Sequence, residues 1–172
     1  LRETISRILG ERSDVQLAKE IRQTVAEFSP VQGVYDLVLN NYGPDTWNGS
    51  VHIEVPDTCS ADQLDQLIRD ITMEVFQKHR VILTAVGVYS VNTQDEEVIR
   101  TREKVREIAF SHPYVRQIHG FYLIRDRKAM RFDVVISFDI DAKEAMETLQ
   151  REVEAIAPDY AVCITRDVDI AD

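Results

Sequence analysis

The sequence predicts an α+β chain made of two tandem α-β-β-α-β repeats, each a small mixed sheet with helices on one face. Three observations carry that expectation. Two stretches of the chain align with each other, and in each a helical apolar period alternates with runs of β-forming residues. The composition is also that of a packed fold. Of 172 residues, 44% are hydrophobic and 29% charged, enough to bury one core or two small ones.

The internal alignment decides the architecture. Residues 31–37, Val-Gln-Gly-Val-Tyr-Asp-Leu, line up without a gap with residues 115–121, Val-Arg-Gln-Ile-His-Gly-Phe, at an offset of 84. Residues 50–57, Ser-Val-His-Ile-Glu-Val-Pro-Asp, match residues 132–139, Phe-Asp-Val-Val-Ile-Ser-Phe-Asp, at an offset of 82. The chain divides accordingly into a leading segment 1–13, a first repeat 14–91 and a second repeat 92–172.

The first repeat opens with Asp14 as the expected N-cap of a helix whose apolar face holds Leu17, Ala18, Ile21, Val25 and Phe28. Pro30 stops it. Residues 31–41 read as a strand, 42–49 as a hairpin loop and 50–55 as a returning strand. Tyr42 and Trp47 are large for a loop; they either pack on the chain's own helices or mark a contact surface. Ser60 can cap a second helix, with Leu64, Leu67, Ile68, Ile71 and Val75 as its buried stripe. Residues 81–91, rich in β-branched side chains, make a third strand.

The second repeat follows the same order. Thr93 and Glu96 have capping-box spacing, so a helix is expected from there to about Phe110, ending before Pro113. Strands follow at 114–124 and 130–138, a helix at 142–156 and a last strand at 160–168.

Charge excludes some functions. With 20 Lys+Arg against 30 Asp+Glu, the net charge is −10, which disfavours a phosphate backbone and predicts no nucleic-acid partner. No apolar run reaches the roughly 20 residues of a membrane helix, and no signal peptide is evident. Acid is concentrated in residues 31–91, net −5, and 115–172, net −4, while residues 1–30 balance. Cys59 and Cys163 lack CxxC spacing and are expected to be reduced, inert thiols. No GxSxG, Walker-type or HExxH motif occurs, so no enzyme is expected.

Isolated features read mostly as structural. His52 faces away from Val51 and Ile53, toward solvent or an interface. His79 lies at a helix end, where a cation opposes the dipole, and His112 sits in a turn with no evident chemistry. Arg125, Arg127, Lys128 and Arg131 form a basic hairpin, either a solvated turn or a contact for anionic headgroups.

Several motifs then point together. Residues 3–12, Glu-Thr-Ile-Ser-Arg-Ile-Leu-Gly-Glu-Arg, are followed by Ile21 and Val25. Next come Gly33-Val-Tyr-Asp-Leu37, Gly43-Pro44, His52-Ile-Glu-Val55 and Ser60-Ala-Asp-Gln-Leu64. In this order they resemble the cytoplasmic C-terminal domain of cation diffusion facilitator transporters. The resemblance covers residues 1–91 closely, with 92–172 as a diverged second copy. It implies ferredoxin-like repeats that follow six membrane helices, with residues 1–13 as the tether. It further implies a divalent-cation/proton antiporter for metal efflux, homodimeric, whose domain lies on the cytoplasmic side of the cell membrane and transports nothing by itself.

The resemblance also implies where metal would bind. The family's zinc ligands fall on Tyr35, Asp65, Gly87 and Tyr89 of the first repeat, three of which offer zinc no good ligand. In the second repeat they fall on or near His119, Glu147 and Asp167, with Thr165 where the last His would stand. His119, Glu147 and Asp167 are therefore the expected metal ligands. An oxygen-rich set suits Mn²⁺ at least as well as Zn²⁺. Taken alone, His119 reads as a hydrogen-bonded strand histidine, Glu147 as a solvated helix carboxylate and Asp167 as a strand-end charge. The rival reading is a tandem ferredoxin-like module that binds a small regulatory molecule. An RNA-binding sheet would need basic surroundings that this chain lacks.

Overall fold

A computed structural model describes residues 15–43 and 46–167. The expected tether at 1–13 and the Asp14 cap lie outside the described residues, as do Pro44 and Asp45 of the hairpin loop. The chain divides into two units between Tyr89 and Ser90, and each holds a three-stranded sheet. No described helix is long and apolar enough to cross a membrane.

Unit 1 runs α1 (Val15–Ala26), β1 (Gly33–Asn41), β2 (Trp47–Pro56), α2 (Ala61–His79) and β3 (Val81–Val91), whose last two residues fall past the boundary, with strand order β1-β2-β3. Helix α1 buries Ala18, Ile21 and Val25 as its apolar period requires. Strand β2 alternates with period two: Gly49, Val51, Ile53 and Val55 face the core, and His52 and Glu54 face the other way. The hairpin loop is shorter than the sequence implied, because pairing resumes at Asn41 and Trp47. Trp47 packs on the core of its own unit, whereas Tyr42 is 72% exposed.

Helix α2 starts as expected. The Ser60 hydroxyl accepts the Gln63 amide, and the Gln63 side chain accepts the Ser60 amide at 2.8 Å. Ser60→Ala removes one half of this reciprocal cap and is expected to lower stability by about 1 kcal/mol, read as a drop in thermal midpoint. At the other end His79 bonds Thr24 of α1 at 2.8 Å, so the histidine ties two helices together. Leu67, Ile71 and Val75 are buried, but Ile68 lies on the flank beside them.

Unit 2 repeats the order as α3 (Glu96–Ser111), β4 (Val115–Ile124), a 3₁₀ turn (Arg125–Arg127), β5 (Ala129–Ile136), α4 (Ala142–Ile156) and β6 (Ala161–Asp167). β4 pairs antiparallel with β5, and β5 pairs parallel with β6, so the sheet is mixed. Phe132, Val134, Leu149 and Val153 are fully buried in one core. The cap of α3 differs from expectation. It is Asp95, not Thr93, whose side chain accepts the amides of Glu97 and Val98 at 3.0 and 3.3 Å. A carboxylate satisfies those amides and also meets the positive end of the helix dipole, which a hydroxyl cannot do. Arg125 closes on the same carboxylate at 2.6 Å and on Glu97 at 2.8 Å. Burial pushes the Asp95 carboxyl up, yet the two amides and the guanidinium hold it below its ordinary value. The leading residue of the basic hairpin is thus engaged with its own unit.

The duplication is closer than the sequence alignment implied. Both first strands carry a bulge at the same repeat position, between Tyr35 and Val38 in β1 and between His119 and Tyr122 in β4. Asp36 and Gly120 adopt positive φ there, 53° and 63°, as the first residue of such a bulge does. The second strands need one correction. Met130, Phe132, Val134 and Ile136 are buried, in step with Gly49, Val51, Ile53 and Val55, which puts the offset at 81 rather than 82. One residue matters here, because a shift by one turns every side chain to the opposite face.

Candidate metal-binding residues

In each unit a histidine and a carboxylate meet on the sheet face turned away from the helices. Ile118 points into the core of unit 2, so its neighbour His119 points the other way. His119 is only 2% exposed. Across the sheet it pairs with Asp133, which pairs in turn with Thr165 of β6. Two residues further along β6, on the same face, stands Asp167. Its Oδ2 lies 3.4 Å from His119 Nε2. Two ligand atoms each about 2.1 Å from a tetrahedral ion are themselves about 3.4 Å apart. The pair therefore has the spacing of one edge of a coordination polyhedron. A neutral imidazole with a carboxylate is a donor set for zinc and for harder divalent ions alike.

Of the three expected ligands, this geometry joins His119 and Asp167. Glu147 stands elsewhere. It is on the exposed side of α4, its carboxylate 3.9 Å from Lys143, an i,i+4 pair on a solvated helix surface. Thr165 occupies the middle row of the sheet opposite Asp133.

Unit 1 holds a related cluster that the spacing of sequence motifs did not single out. The Asp36 carboxylate, carried by the bulge, accepts the Tyr89 hydroxyl at 2.7 Å and lies 3.1 Å from His52 Nδ1. The His52 ring stacks on Tyr89 with centroids 4.7 Å apart. Gly87 lies beneath that ring, and any Cβ there would overlap it. The glycine at a family ligand position thus makes room for a histidine from the neighbouring strand. The Tyr35 hydroxyl points to Glu54 at 3.5 Å. Asp65 belongs to the surface of α2, where hydrogen bonding by Arg69 holds its carboxyl below the usual range.

The remaining groups are structural. His112 meets Glu152 at 2.7 Å and stacks on Tyr114. Burial, then the charges of Glu152 and Glu144, push the Tyr114 phenol up. Cys59 is half-buried, Cys163 exposed, and both are free thiols.

No protein-family model and no curated protein matches this sequence. Solved structures do. A copper form of the MamM CTD is 17% identical, covering 48% of this chain and 79% of that one with a TM-score of 0.39. The structure described as MamM-CTD 215-293 is 17% identical over 45% of this chain and 96% of its own, with a TM-score of 0.38. A nickel form of a MamM CTD variant is 16% identical over 46% and 98%, also at 0.38. All three are described as MamM CTD structures.

Proposed function

We propose that this chain is the cytoplasmic regulatory domain of a cation diffusion facilitator transporter, and that its second repeat binds a divalent cation through His119 and Asp167. The 3.4 Å approach of those two side chains, at the repeat positions where the family resemblance puts metal ligands, carries the reading. The motif order in the first repeat supports it, and so does the pair formed by Asp36 and His52. MamM C-terminal domains exist in nickel, cadmium and copper forms; for this chain one imidazole and one carboxylate suit Zn²⁺ and Mn²⁺ alike. The role is regulatory and non-catalytic. In the full-length protein the partners are the membrane domain and a second copy, on the cytoplasmic face.

The physical device is electrostatic. Two chains of net charge −10 repel when brought together, and a bound cation reduces that repulsion. Metal then favours a closed over an open arrangement to the extent that it binds the closed one more tightly.

Isothermal titration with Mn²⁺ and with Zn²⁺ tests the site. The wild-type chain is expected to bind, and His119→Ala to lose at least about tenfold in affinity. Binding of equal strength in the variant removes the assignment.

A further inference from the structure

One flank of α2 is apolar and open. Ile68, Thr72, Met73 and Phe76 line a groove with Ile82 at the start of β3, and Arg69 stands at its rim. Met73, Phe76 and Ile82 are 54%, 44% and 51% exposed, a cluster too apolar for an ordinary solvated helix surface. The Thr72 hydroxyl is turned back onto the Ile68 carbonyl at 2.7 Å, which leaves its methyl group outward.

The fold does not demand this surface. In α2 the residues that follow buried Leu67, Ile71 and Val75 are Ile68, Thr72 and Phe76. In α4 those that follow buried Ala145, Leu149 and Val153 are Met146, Gln150 and Glu154. Met146 packs on its own core. Gln150 donates to Glu154 at 2.7 Å and to the Val162 carbonyl of β6 at 2.8 Å. The second repeat thus closes with hydrogen bonds the flank that the first leaves apolar.

The charges on the flank identify its occupant. Asp65 and Arg69, paired at 2.8 Å, lie toward the start of α2, and Arg80 forms its C-cap. Two copies of α2 packed antiparallel, about a two-fold axis between Thr72 and Met73, place each Asp65 opposite Arg80 of the partner subunit. The same register sets each Arg69 against Phe76 of the partner subunit and each Thr72 against Met73. Opposite charges then face at both ends, and guanidinium groups meet aromatic faces in the middle. Phe76 already takes such a contact from Arg80 of its own chain, 5.7 Å from the ring centroid. A parallel pairing would face Asp65 with Asp65 and Arg80 with Arg80.

We propose that this flank of unit 1 is an interface between two copies of this chain, with α2 packed antiparallel on α2. The proposal rests on the dimeric part of the function above and names the surface that forms it.

Sedimentation velocity over a range of concentrations tests it with three exposed-site variants. The wild-type chain is expected to dimerise, and Phe76→Glu to weaken the dimer by at least about tenfold. Asp65→Arg is expected to weaken it as well, and adding Arg80→Asp to Asp65→Arg to restore it. Equal dimerisation in wild type and Phe76→Glu, or no rescue in the double variant, overturns this interface while leaving a dimer through another face. A wild-type chain that stays monomeric at every concentration overturns both this interface and the dimer.

Discussion

Phe132→Ala is expected to lower the unfolding free energy of unit 2 by about 3–5 kcal/mol. Phe132 is among the largest fully buried side chains of the chain, and its ring lies 6.2 Å from that of Phe121, inclined at 29°. It sits on β5, the central strand, between β4 and β6, with Leu149 and Val153 of α4 in the same core. Truncation removes the transfer free energy of a phenyl group and leaves a cavity that two flanking strands and a helix cannot all collapse into. Against a total of about 5–15 kcal/mol for a typical domain, that is a large fraction. Urea unfolding followed by circular dichroism measures the loss, and hydrogen exchange along β5 assigns it to this unit. Phe138, 76% exposed, supplies the control; Phe138→Ala should stay within about 0.5 kcal/mol of wild type. Similar losses in the two variants would mean that Phe132 is not the keystone of this core.

What the sequence made legible follows from how local each signal is. Helix α4 matches its expected bounds, and β3 does too, because capping residues, periodicity and β-branched runs are properties of neighbouring residues. That His119 lies in a strand at the repeat position of Tyr35 was also legible, since residues 31–37 and 115–121 align without a gap. Three features were not. The offset of the second strands came out one residue wrong because both faces of β5 carry apolar side chains: Val135 is apolar on one face, as Val134 is on the other. The Asp95 cap lost to Thr93 because only the folded chain brings Arg125 onto that carboxylate, across 30 residues. Glu147 fits the family spacing in sequence, yet it stands two residues from both Ala145 and Leu149 of the buried stripe of α4, about 200° around the helix, and so meets Lys143 and solvent. Asp36 escaped notice for the reason that makes it informative: a carboxylate in a strand reads as an ordinary surface charge until the bulge aims it at Tyr89 and His52.

The bulge itself gives the second prediction. Gly120→Val is expected to destabilise unit 2 by about 1–3 kcal/mol, and more than the same change at an ordinary strand position. At φ 63° a branched Cβ crowds the adjoining carbonyl, so β4 must either hold a strained residue or flatten the bulge. Flattening would return Phe121 and Tyr122 to regular alternation and move His119 out of the row it shares with Asp133 and Thr165. The geometry of the proposed metal site therefore depends on a residue that has no side chain to offer it. Asp36 shows the opposite choice at the same repeat position, since Asp tolerates the left-handed region better than most residues. Asp36→Gly is accordingly expected to relieve backbone strain at φ 53° while losing the contacts to Tyr89 and His52, a near cancellation in stability. Thermal denaturation of the two variants side by side reads this asymmetry. Equal destabilisation at both positions would show that the backbone conformation of the bulge, the feature the two repeats share most closely, does not govern their stability.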